Sequence, residues 1–250
     1  MTNNFNEELI QEIKISFKFA VSKNNNNRSS HKVNNIHNTI AKHLEKLLGS
    51  EYNIVTETIS KTTHNKKDKN TKIKGRYNEK KVDIAIKRKH DNKIISGIGI
   101  KFPLSSFQKN KNNYFENMLG ETANIRSNNI PYFQIMILLQ QIPNFSSKKG
   151  PISFTIVDDK LMENYVTLSK DNITSFFHSP LKTLILILKD NIKKENQQFK
   201  DQQEYSNFYN NNPFTFTSSE FDTIKFDSGV ILNEYSSFIE KISYLIKGFQ

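Results

Sequence analysis

The chain has 250 residues, of which 36% are hydrophobic and 24% charged, with a formal net charge of +11 and no cysteine. That length allows one large domain with a real core, and the composition lies above that of a wholly disordered chain. The lack of cysteine excludes disulfide frameworks, cysteine-ligated zinc, iron–sulfur clusters and thiol nucleophiles. Apolar runs fall short of the ~18 residues that cross a bilayer, and the opening MTNNFNEE has neither the basic nor the apolar region of a signal peptide, so the expected location is cytoplasmic.

The positive charge is local. From Lys61 to Lys111 there are 16 Lys or Arg against 4 Asp or Glu, which leaves the remainder of the chain at about −1. A block of this kind favours a polyanionic partner. Four alanines, no tryptophan and abundant Lys, Asn, Ile and Phe also resemble the translation of AT-rich DNA, which raises lysine content whatever the function.

Taken in chain order, Leu9, Ile10, Ile13, Phe17 and Ala20 predict a helix over 7–21, followed by the polar stretch KNNNNRSS. Ile36, Ile40, Leu44, Leu47 and Leu48 predict a second helix over 33–48, stopped at Gly49. YNIVTETI reads as a strand and SKTTHNKKDKNTKIKGR as a lysine-rich connection. KKVDIAIKR then alternates Val82, Ile84 and Ile86 with Asp83 and Ala85, and the turn HDN leads into KIISGIGIKF, so a hairpin is expected.

The segment 103–113 reads as a loop, 112–126 as a helix, and YFQIMILLQ as a buried strand bounded by Pro131 and Pro143. Further on, PISFTIVD is an expected strand. Ser179 and Pro180 would cap a helix carrying Leu181, Leu184, Ile185, Leu188 and Ile192. Asn-rich loops and a terminal helix over 231–246 complete the chain. The expected class is α/β (α+β): a central mixed sheet flanked by helices, with an additional helical C-terminal region. One domain spans 1–250, with its core over about 31–141 and an elaboration over 142–250 serving dimerisation or specificity.

Chemistry concentrates on the hairpin. Asp83 lies between apolar neighbours and Lys101 ends the next strand, so antiparallel pairing would bring them to one end. Gly97, Gly99 and Lys101 share one face, with room for an anionic ligand such as a phosphodiester over the glycines. The histidines show no common metal-binding face: His31, His37 and His43 drift around their helix and read as surface residues.

Over about residues 31–141, the element order with Val82-Asp83-Ile84 and Gly99-Ile100-Lys101 resembles the PD-(D/E)xK nuclease superfamily, and within it the type II restriction endonucleases. In that family an aspartate on one strand and an acidic-x-Lys triplet on the next bind magnesium and position the attacking water. Here the acidic position of the triplet is Gly99. The resemblance then implies either a dead site or the subgroup in which the carboxylate comes from the following helix. Glu116, 15 residues beyond Lys101, is favoured as metal ligand with Asp83, and Glu121, 20 residues beyond, is the alternative or a supporting residue.

What the resemblance implies is a Mg2+-dependent, sequence-specific double-stranded DNA endonuclease, a homodimer with a cognate DNA methyltransferase encoded nearby. Lys101 would hold or help deprotonate the attacking water. The alternative is a catalytically inactive nucleic-acid-binding protein on the same scaffold. Ser105, Ser106, Gln108, Lys109, Lys111, Asn112 and Asn113, directly after the lysine strand, are candidate DNA contacts, with the amides suited to adenine, and Arg76 and Lys81 are candidate phosphate contacts.

Overall fold

The computed structural model describes residues 4–22, 33–57, 70–145, 152–192, 198–221 and 225–249. The expected strand residues beyond 57, most of the lysine-rich connection, and His31 lie outside them. Helix α1 (Phe5–Ser22) buries Leu9, Ile13, Phe17 and Ala20, and α2 (Asn34–Leu48) buries Ile36, Ile40, Leu44 and Leu48. The second helix ends at Gly49, whose φ of 87° suits a residue without a Cβ. Strand β1 (Tyr52–Thr56) follows.

Residues expected to form only a connection and one strand instead give β2 (Lys72–Lys74), β3 (Glu79–Lys81) and β4 (Ile84–Arg88). The break falls at Val82 and Asp83. Asp83 Oδ2 accepts the backbone N–H of Ile100 at 2.6 Å, and Val82 N donates to Thr71 O at 3.2 Å, so a side chain replaces a rung of the ladder. Beyond the break the alternation changes phase. Val82 packs with Ile73, Ala85, Ile125 and Tyr132 in a small second core, while Ile84 and Ile86 join the main one.

The hairpin expected next is present: β4 pairs antiparallel with β5 (Ile94–Lys101), Ile84 opposite Ile98 and Ala85 opposite Gly97. Helix α3 (Phe107–Arg126) begins five residues before the expected helix, because the buried Phe107 anchors its first turn and stacks on Tyr114. Strand β6 (Tyr132–Leu139) is buried along its whole length, and β7 (Gln141–Asn144), containing Pro143, pairs with β8 (Ser153–Ile156). Helix α4 (Asp159–Ser169), capped by Asp158 accepting from Leu161 N, was not anticipated.

The largest departure is β9 (Lys182–Asp190), a strand where a helix was expected. Leu184 to Leu188 are all buried, and in an unbroken apolar run helical spacing can be picked out of residues that in fact alternate between two covered faces. Helix α5 (Gln202–Asn211) occupies part of the expected loop, followed by β10 (Phe216–Ser218), β11 (Val230–Leu232) and α6 (Tyr235–Gly248). The terminal helix therefore starts later than expected, with Leu232 in the preceding strand.

The main sheet has the order β1-β4-β5-β6-β9-β10, with β11 also beside β9. Strands β5, β6 and β9 run parallel to one another, and β1, β4 and β10 pair antiparallel with their neighbours, so the sheet is mixed. Helices α1, α2 and α6 pack together, α2 against β1 and α6 against β9, while α3 packs on β6. The expected class, a mixed sheet flanked by helices, is the observed one. Among the described residues there are six helices, three of them C-terminal, and none is long and apolar enough to cross a membrane.

Candidate active site

Asp83 sits in the break between β3 and β4. Its Oδ2 is held by Ile100 N, one residue before Lys101, while Oδ1 lies 3.9 Å from Nε2 of His37 on α2. The carboxylate side chain remains 30% exposed. His37, expected on the surface, is buried, and its Nε2 has no hydrogen-bond partner among the described residues. Burial pushes the His37 pKa below its ordinary value; Asp83 opposes this and Lys101 adds to it, so His37, Asp83 and Lys101 share one field.

Helix α3 contributes one of the two candidate glutamates. Glu116 is exposed and forms no hydrogen bond or ion pair among the described residues. The side chain of Glu121 is only 7% exposed and lies 3.8 Å from Lys80 Nζ on β3. Burial raises the Glu121 pKa, Lys101 and Lys80 lower it, and Asp83 raises it again. Glu121 thus lies buried within electrostatic reach of Asp83 and Lys101, whereas Glu116, the glutamate favoured by spacing, is in solvent. Both glutamates flank the apolar stripe of α3, and the roll of the helix decides between them.

The glycines serve a different purpose from the one expected. A Cβ on Gly97 would stand 2.5 Å from Ile73 Cδ1 and 3.3 Å from the Tyr132 ring. One on Gly99 would collide with the Tyr132 hydroxyl and stand 2.6 Å from Gln134 Oε1. Space over these glycines is filled by Ile73 of β2 and by Tyr132 and Gln134 of β6, and is not open to a phosphodiester. The Tyr132 hydroxyl lies beside Glu121, near enough to favour the ionised carboxyl, yet it meets hydrogen-bond geometry with no described group. Gln134 Oε1 and the Thr122 hydroxyl are likewise buried without partners, and an unsatisfied buried polar group typically costs about 1–3 kcal/mol.

The proposed DNA contacts divide into two groups. Gln108, Lys109, Lys111, Asn112 and Asn113 belong to the first two turns of α3 and not to a loop. All are exposed except the half-buried Lys111, and Asn110 anchors the run by donating to Ser106 O at 3.0 Å. Ser105 and Ser106 precede the helix, with Ser106 at a φ of 54°. At 1.5 Å rise per residue the run lies about 12–20 Å from Glu121 along the helix, so it does not join the carboxylates.

The β2–β3 hairpin, in contrast, adjoins them through Lys80. Its turn is tied to α3 by Asn124, whose Oδ1 accepts from Tyr77 N at 2.9 Å and whose Nδ2 donates to Asn78 O at 3.0 Å. At the turn the Arg76 guanidinium stacks on the exposed Tyr77 ring, 5.8 Å from its centroid. Lys81 pairs with Glu57 at 2.5 Å.

Among the described residues no three His, Cys, Asp or Glu side chains form a ready metal-binding set. Two carboxylates with neutral oxygens nearby nevertheless fit a hard divalent ion, since magnesium commonly takes one or two protein carboxylates and completes its shell with water and substrate phosphate. The buried Glu121, acid-weakened by desolvation beside a second carboxylate, is a group whose ionised form a cation would favour. His37, Tyr132 and Gln134 escaped the sequence reading. Gln134 alone left a signal there, as a polar residue inside a run of buried apolar ones. No protein-family model matches the chain, and neither a curated protein nor a solved structure is significantly similar to it.

Proposed function

We propose that this protein is a magnesium-dependent, sequence-specific endonuclease of double-stranded DNA, resembling the type II restriction enzymes of the PD-(D/E)xK superfamily. What supports the reading is that Asp83 is held by Ile100 N, next in the chain to Lys101, and that the buried Glu121 feels the charges of both Asp83 and Lys101. Asp83 and Glu121 would hold the ion. Bound there, it would lower the pKa of a water and offset charge gathering on the phosphate. Lys101, as a cation, would hold that water by donating to its oxygen and stabilise the added negative charge. The water oxygen bonds to phosphorus and gives up a proton to solvent, while the ester P–O bond breaks and the leaving oxygen takes up a proton from solvent.

The phosphate backbone approaches over a basic surface made by Lys80, Lys81 and Arg76, with Lys109 and Lys111 further along α3. A homodimer would present two such centres to a short palindrome. A companion methyltransferase encoded nearby would protect the host sites, and the chain would work in the cytoplasm, where its substrate lies. The second reading, a non-catalytic nucleic-acid-binding protein, is favoured by one observation, the glycine at the acidic position of the triplet.

Incubation of a mixed-sequence plasmid with purified protein separates the two readings. Discrete fragments with Mg2+ and none with a chelator are expected. Salt-sensitive binding without cutting under any divalent ion would leave only the second reading.

A further inference from the structure

Gly99 and Gln134 are direct neighbours across the parallel β5–β6 pair, and Asp83 lies one residue beyond the Ile84–Ile98 rung, level with Gly99. Asp83 just before β4, Gly99 on β5 and Gln134 on β6 therefore form a row, with the Tyr132 hydroxyl over Gly99 beside Gln134 Oε1. The missing Cβ of Gly99 is what admits the Gln134 side chain, whose Oε1 occupies the start of the path an acidic residue at 99 would take. That oxygen is fully buried and unpartnered. Its amide nitrogen reaches only a long 3.5 Å contact to Ile135 O, so nothing in the strand itself requires a glutamine.

The geometry points to Gln134 as the third oxygen donor of the ion site, directly or through an ion-bound water, replacing from the next strand the carboxylate that Gly99 cannot supply. The inference rests on the nuclease reading above. It adds that the donor set is spread over three elements: Asp83 before β4, Glu121 on α3 and Gln134 on β6. A neutral amide at this position keeps the charge of the cluster at two carboxylates facing Lys101 and Lys80. The Tyr132 hydroxyl borders the same niche and marks it for spectroscopy.

Terbium(III) serves as the probe, with luminescence excited through tyrosine in a chain that contains no tryptophan. The wild-type protein should give a signal that Mg2+ displaces, and Asp83→Asn should lose it. Gln134→Leu should fold, since it only removes an unsatisfied polar group, and should bind terbium at least about tenfold more weakly. Gln134→Glu should bind at least as tightly as wild type. If Gln134→Leu matches the wild type while Asp83→Asn still loses the signal, the inference fails and the nuclease reading survives. If the wild-type protein itself shows no Mg2+-displaceable signal, both fail.

Discussion

His37 and His43 stand six residues apart on α2, both buried, in opposite circumstances. The ring of His43 stacks on Phe5, its Nδ1 lies 2.8 Å from the Tyr235 hydroxyl, and its Nε2 lies 2.8 Å from Glu8 Oε2. A neutral ring satisfies both neighbours, Nε2–H donating to Glu8 and Nδ1 accepting from Tyr235. Three helices, α1, α2 and α6, are pinned by that one side chain. Toward the start of α2, His37 Nε2 has no hydrogen-bond partner among the described residues and faces the Asp83 carboxylate 3.9 Å away. Satisfied buried polar groups hold a structure together, whereas an unsatisfied one costs stability and is tolerated where strain, water or function explains it.

The largest effects should therefore come from the unsatisfied end. Asp83→Ala and Lys101→Ala should each reduce magnesium-dependent cleavage by about 10²–10³-fold or more while DNA binding persists, as gel-shift and digestion assays would show. Near-normal cutting by either variant would remove the site. Next comes Gly99→Glu, which completes an acidic-x-Lys triplet on paper. Because Tyr132 and Gln134 already fill that space, it should lower stability by about 1–3 kcal/mol in denaturant unfolding and gain no cleavage. A stable, faster enzyme would show that the niche is open.

The satisfied end should respond to pH more gently. Burial holds the His43 pKa below its ordinary 6.5, with Glu8 opposing that shift, so the stability tied to its neutral form is present above 6.5 and lost as pH falls through it. Glu8, held below its ordinary 4.5 by the hydrogen bond from His43, adds stability that is lost on further acidification. Both contributions have the same sign. The melting temperature should fall on going from pH 7 to pH 5, and His43→Gln should flatten that slope. An unchanged slope would show that the clasp is not what titrates.

The sequence pattern puts both α2 histidines on the surface, and both are buried, so neither end of the helix was legible in this respect. Helical spacing placed α2 and α6 because each buries one face and exposes the other, whereas the β4–β5 hairpin, buried on both faces, was placed by its alternating polar residues and the HDN turn. Strand β9 escaped because both its faces are covered and every residue from Leu184 to Leu188 is apolar, so no period survives. The break at Asp83 depends on a hydrogen bond to Ile100 N, and the filling of Gly99 depends on the β5–β6 register; both are tertiary facts. Asp83 and Lys101 were legible from local pattern. Spacing from Lys101 offers Glu121 only as an alternative, because burial along α3 depends on how the helix packs on β6 and not on its sequence distance from Lys101.

The choice between those glutamates tests the account most directly. Side-by-side digestion of a mixed-sequence plasmid by wild type, Glu116→Gln and Glu121→Gln, with Mg2+ and matched melting temperatures, compares an exposed acid with a buried one on the same helix. Loss of cutting in Glu121→Gln with normal cutting in Glu116→Gln is the predicted result. Normal cutting by Glu121→Gln would contradict a centre built from Asp83, Lys101 and Glu121.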